Sequence, residues 1–226
     1  MKNIYCFLLI FFPLYLFSQQ DSTGTTKNKQ EKKPKNSLGL GIKAGLNFTN
    51  VTSASSISNS NETGYQVGLF LDPSSSSILG SRTELVYSHQ GYNYATGQNT
   101  TGHVYLDYIM LAQLMAINIT HFVQIQIGSQ IAYLINAKAD SSMPTGNVSI
   151  DNALSYYNRI DFGFSGGLEI RPFMGILVGA RYNLSITNLY KIPTTTGSGE
   201  PPSYVPTSSD LNFKNNLIQI YVGYRF

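Results

Sequence analysis

The sequence predicts an all-β fold: an eight-stranded antiparallel transmembrane β-barrel wound as an up-and-down meander. Three observations carry that expectation. Apolar residues alternate with small or polar ones in period two from Leu38 to the C-terminus, as strands with one apolar face require. Only 12% of the 226 residues are charged while 42% are hydrophobic, against about 25% charged in an ordinary soluble domain. The 20 glycines, 16 tyrosines and 12 phenylalanines, with no tryptophan, favour strands and tight turns over helices.

Residues 1–18 hold Lys2, a mostly apolar run from Ile4 to Phe17 interrupted by Pro13, and then Ser18. This is expected to be a cleaved signal peptide. A spanning helix needs about 20 apolar residues, and this run is shorter and contains a proline. Cys6, the single cysteine, falls inside the leader before the apolar run develops, so the mature chain is expected to have no thiol and no disulfide. Residues 19–37 are polar and carry five lysines; they cannot repay the entropy of ordering and are expected to form a flexible periplasmic tether with a reach of about 25 Å. The barrel is expected over 38–226. The formal charge of +3 comes from lysines that precede residue 38, for the body holds nine basic and ten acidic residues. A nucleic-acid interface would need a basic stripe on the folded part, and the body has none.

In the first segment Leu38, Leu40, Ile42, Ala44, Leu46 and Phe48 share one face, and Gly39, Gly41, Lys43, Gly45 and Asn47 share the other. Similar segments are expected at 64–72, 81–92, 104–117, 122–136, 158–171, 174–188 and 213–226. The fourth is apolar on both faces, which leaves its register open. Glycine, serine, asparagine and glutamine populate the polar face, with Lys43, Glu84, Asp161, Glu169, Arg171 and Arg181 among them. So many glycines suit a narrow, crowded interior, and the apolar face is therefore expected to look outward to lipid.

Connections support the same topology. Long polar stretches at 49–63, 93–103, 137–157 and 189–212 alternate with brief ones at 73–80, 118–121 and 172–173, as extracellular loops alternate with periplasmic turns. Aromatics at segment ends (Phe48, Tyr65, Tyr92, Tyr94, Tyr133, Phe213, Tyr224 and Phe226) are expected to form girdles at the two lipid boundaries. The ending Ile218, Ile220, Val222, Tyr224, Phe226 alternates up to a terminal phenylalanine. It resembles the assembly signal read by the outer-membrane insertion machinery.

Together Gly41-Ile-Lys-Ala-Gly-Leu-Asn-Phe-Thr-Asn, Thr83-Glu-Leu-Val-Tyr-Ser-His-Gln-Gly, Asp161-Phe-Gly-Phe-Ser-Gly-Gly and the closing Tyr-Arg-Phe resemble the PorT-like family of bacterial outer-membrane β-barrel proteins. The resemblance covers roughly Leu38 to Phe226. It implies residence in a Gram-negative outer membrane, with lipid and the insertion machinery as partners. The founding member is linked to a protein-secretion system, which makes an accessory secretion role one alternative. The fourth strand departs from the family, placing Tyr105-Leu-Asp-Tyr-Ile-Met-Leu where relatives often have a proline.

No catalytic, metal or cofactor site is expected. Ser88 and His89 are neighbours on a strand and point to opposite faces, so they cannot form a nucleophile and base pair. His103, expected in a loop, and His121, expected in a turn, are too scattered to share a metal. The inward charges read as a structural ion-pair network that fills the barrel, since isolated buried charges are costly. The expected role is a structural or interaction module acting through extracellular loops, with an envelope protein as a partner. A narrow small-solute channel is the other alternative.

Overall fold

The computed structural model describes residues 39–51, 58–72, 78–95, 101–142, 148–173, 175–191 and 214–226. The expected signal peptide and tether lie outside them. Among the described residues nine strands follow in order: β1 (Leu40–Val51), β2 (Ser58–Leu71), β3 (Leu79–Ala95), β4 (Thr101–Asn118), β5 (Val123–Ser142), β6 (Val148–Asn152), β7 (Ile160–Phe173), β8 (Ile176–Ser185) and β9 (Asn215–Arg225). Every pairing is antiparallel, and β9 returns to pair with β1, so eight strands close into a barrel in meander order. Closure removes the sheet edges, which is what lets strands cross a bilayer with every backbone group satisfied.

The strand β6 stands outside the ring and pairs with the far end of β5, Lys138 opposite Asn152. It occupies part of the stretch expected to be a loop at 137–157. β2, β3 and β5 likewise run beyond their expected ends, to Ser58, Ala95 and Ser142. The period-two signal reflects one face in lipid, so it fades where a strand leaves the bilayer although backbone pairing continues. A tilted strand crosses with about 9–11 residues, whereas β3, β4 and β5 have 17, 18 and 20. Their surplus rises at the end that carries the long connections, which is the extracellular end.

Leu46, Leu69, Leu85, Ile127, Ile220 and Val222 face outward and are each about half exposed. Such a belt of exposed Leu, Ile and Val is stable only against hydrocarbon. β8 alternates between exposed and buried at every residue. In β4, Val104, Leu106, Tyr108, Met110, Ala112, Leu114 and Ala116 point inward and are buried, while Ile109, Leu111 and Met115 point outward. Both faces of β4 are apolar because its inner face lines an apolar part of the lumen.

Tyr92 and Tyr94 share the inward face of β3 with Glu84, Ser88 and Gln90 and are 2% exposed; they belong to the core and not to a lipid girdle. Phe213 lies outside the described residues. Gly41 and Gly179 make room for inward rings, since a Cβ at either would lie 2.1 Å from Phe70 or 2.5 Å from Tyr221. At the tight turn between β7 and β8, Gly175 adopts φ +82°, a conformation open to glycine at no steric cost.

Candidate functional site

The lumen is filled in three layers. At the end of the short turns, a chain of charges crosses from wall to wall. Glu84 accepts from Lys43 Nζ at 2.6 Å, Arg82 Nε at 2.7 Å, and Arg181 Nη1 and Nη2 at 2.6 and 2.8 Å. Arg82 also donates through Nη1 to Glu169 at 2.8 Å, and Arg171 Nε reaches the same carboxylate at 2.9 Å. Arg171 then closes on Asp72. Gln126 and Tyr221 each donate a further bond to Glu169. The Arg82 guanidinium lies 3.9 Å from the centre of the Phe70 ring, and the Lys43 ammonium 4.5 Å from that of Tyr221. Lys43, Arg82, Glu84, Glu169 and Asp72 side chains are fully buried. Such charges persist away from water only when each meets an opposite charge and hydrogen-bond partners.

Above this layer, amides and hydroxyls span the barrel. Asn47 donates to Ser88 at 2.9 Å, Gln90 to Ser88 at 2.8 Å, Asn215 to Gln90 at 2.6 Å and Gln219 to Gln66 at 2.9 Å. A cavity of about 10 Å³ bordered by Tyr108, Gln130, Asp161, Asn183 and Asn215 has room for about one water.

The extracellular layer is an apolar core capped by tyrosines. Val104, Leu106, Leu134, Ala137, Ala153 and Leu189 pack together. Tyr157 and Tyr190, from the connections after β6 and β8, meet there in a single bridge, their rings 4.7 Å apart. The Tyr92 hydroxyl bonds Tyr157 at 2.7 Å and also bonds Tyr190. Burial raises both loop phenols in pKa, that of Tyr190 to about 12. The neutral phenols cap the apolar cluster at its extracellular end.

On the outer wall, one outward position from Ile109 along β4, Asp107 gathers three partners. His89 Nδ1 lies 2.6 Å away, and the Tyr87 hydroxyl and the Asn136 amide each donate at 2.9 Å. The His89 ring is stacked between Tyr65 and Tyr105, at 5.0 and 5.7 Å. His103 lies within β4, not in a loop as expected, and its Nδ1 is 3.5 Å from Glu62. A histidine oriented by a carboxylate is half of a nucleophile-activating constellation. Among the described residues no serine or threonine hydroxyl bonds His89, and Ser88 points into the lumen. His121 is exposed in the turn after β4. Among the described residues no group of three or more His, Cys, Asp or Glu is placed to hold a metal ion.

Of the six charges singled out in the sequence, the structure brings Lys43, Glu84, Glu169, Arg171 and Arg181 together. Asp161 sits apart near the long-loop end, where it accepts from Ser185, because it opens β7 while Glu169 and Arg171 lie near its close. Arg82, Asp72, Gln126 and Tyr221 complete the network. Arg82 shares the face of Glu84 by parity, which is a signal legible in the sequence. Asp72, the last residue of the expected segment 64–72, shares the parity of Gln66 and Gly68 and was marked by the same signal. Tyr224 and Phe226 end the chain at the short-turn side, their rings 5.4 Å apart, and the Phe226 amide donates to the Leu40 carbonyl at 2.8 Å.

A closed barrel with a lipid-facing belt and a filled lumen defines an integral outer-membrane β-barrel protein. Residues 17–191 match the family described as Outer membrane protein beta-barrel domain, and the chain belongs to it. A search of curated proteins finds no match. Among solved structures, Ail of Yersinia pestis is 14% identical with a TM-score of 0.48, covering 83% of this chain and 99% of its own. Neisserial surface protein A is 14% identical with a TM-score of 0.49, covering 83% and 97%. OprG of Pseudomonas aeruginosa is 11% identical with a TM-score of 0.43, covering 83% and 96%.

Proposed function

We propose that this chain is a non-conducting outer-membrane barrel that acts through the surface it raises above the outer leaflet, as a recognition module for an envelope or extracellular partner. The filled lumen is the observation that carries this reading. A solute path would have to break the ion pairs of Glu84 and Glu169, the amide layer and the tyrosine cap in turn. Meanwhile β3, β4 and β5 extend well past the bilayer and offer a rigid platform on which loops can be held. In this reading Lys43, Glu84, Glu169, Arg171 and Arg181 are structural, residues 1–18 are the cleaved leader, and Tyr224 and Phe226 form the assembly signal.

Planar-bilayer recording of the purified barrel tests the reading. The expected trace shows no steady ion-selective openings. Long-lived uniform openings would overturn the plug and favour a narrow channel.

A further inference from the structure

The outward wall of β3, β4 and β5 carries polar side chains where the bilayer has no water. On β4, Ile109 and Leu111 lie to one side of Gln113 and Met115 and Ile117 to the other. On β5, Ile125 and Ile127 precede Ser129, and Ile131 and Tyr133 follow it. The register sets Thr83 opposite Gln113 and Gln113 opposite Ser129. A polar row therefore crosses three strands, on β4 and β5 in the middle of their apolar runs and on β3 between Ser81 and Leu85. The opposite wall has no counterpart, since Ala180 faces Ile220 and Val222 faces Ala44 there.

The Thr83 hydroxyl donates to Gln113 Oε1 at 2.7 Å. Among the described residues, the two N–H groups of the Gln113 amide have no acceptor. In hydrocarbon each unmet donor costs several kcal/mol, and an acyl chain supplies none of the missing acceptors.

We propose that this wall is the contact surface for a second copy of the chain within the membrane. A primary amide is complementary to itself, because it donates through Nε2 and accepts through Oε1. Two Gln113 amides related by a twofold axis can therefore satisfy each other, as an isologous interface requires. Ser81, Thr83 and Ser129 are short, so the two walls can approach closely around the amide pair. Small residues and polar bonds of this kind replace the hydrophobic effect as the source of association in lipid.

The test uses the full chain in native membranes, in a Cys6→Ser background. Ser129→Cys, directly opposite Gln113 on the same wall, is expected to form an oxidant-induced cross-link at twice the monomer mass, while Ile220→Cys on the opposite wall stays monomeric. Energy transfer between labelled copies in phospholipid vesicles provides a second readout. Gln113→Leu keeps the wall apolar and is expected to weaken association about tenfold, which corresponds to roughly 1.4 kcal/mol. Equal cross-linking at both positions, cross-links to another protein alone, or undiminished association of Gln113→Leu would each overturn the proposal.

Discussion

Replacing Glu84 with glutamine removes the one carboxylate on which Lys43, Arg82 and Arg181 converge, all within 2.8 Å. The amide returns a single acceptor oxygen and turns N–H groups toward three cations. Arg82 keeps Glu169 and Arg181 keeps Gln126, but Lys43 loses the carboxylate that compensates its buried ammonium. Breaking one buried pair costs about 3–5 kcal/mol. With three cations affected, the upper half of that range is expected, a large share of the roughly 5–15 kcal/mol that holds a domain folded. The absence of tryptophan makes urea unfolding in vesicles best followed by the mobility difference between folded and unfolded barrel on unheated gels. The double variant Lys43→Met with Glu84→Gln removes the stranded ammonium as well and should recover about 1–3 kcal/mol. A Glu84→Gln protein within about 0.5 kcal/mol of the parent, or a double variant no better than the single, would refute the reasoning.

Ile127→Arg places a charge on the lipid face of β5 and is expected to cost about 2–4 kcal/mol in the same unfolding assay. Parent-like stability would mean that the strand faces the other way. Deleting Phe226 removes one backbone bond to Leu40 and one ring contact, too little to unfold a barrel. Even so, outer-membrane levels in cell fractions are expected to fall sharply if the last residue is read during insertion. Tyr190 is held neutral by burial and so contributes stability below its ordinary pKa of 10, lost as pH rises through about 12. Tyrosinate absorbance should show its ionisation delayed relative to exposed tyrosines, while conductance stays closed throughout because the amide and ion-pair layers still fill the lumen beneath the cap. Ionisation at the ordinary value would show that the cap is open to water.

Side-chain parity was legible in the sequence because successive residues of a strand point to opposite faces. Leu40, Ile42 and Leu46 were bound to share a face, as were Lys43 and Asn47, and so were Arg82 and Glu84. The glycines on the polar face showed which side was inward, since only a crowded interior needs them there. That much follows from local geometry and the width of a small barrel. Which inward residues meet does not, because partners lie 41 residues apart for Lys43 and Glu84 and 87 apart for Arg82 and Glu169. Strand tilt and stagger around the closed ring set those meetings, so Asp161, on the correct face of β7, still ends at the wrong height to join them. The tyrosine cap was hidden for a different reason. Tyr157 and Tyr190 come from connections with no period to read, and they gain an inside to be buried in only after eight strands have closed around it.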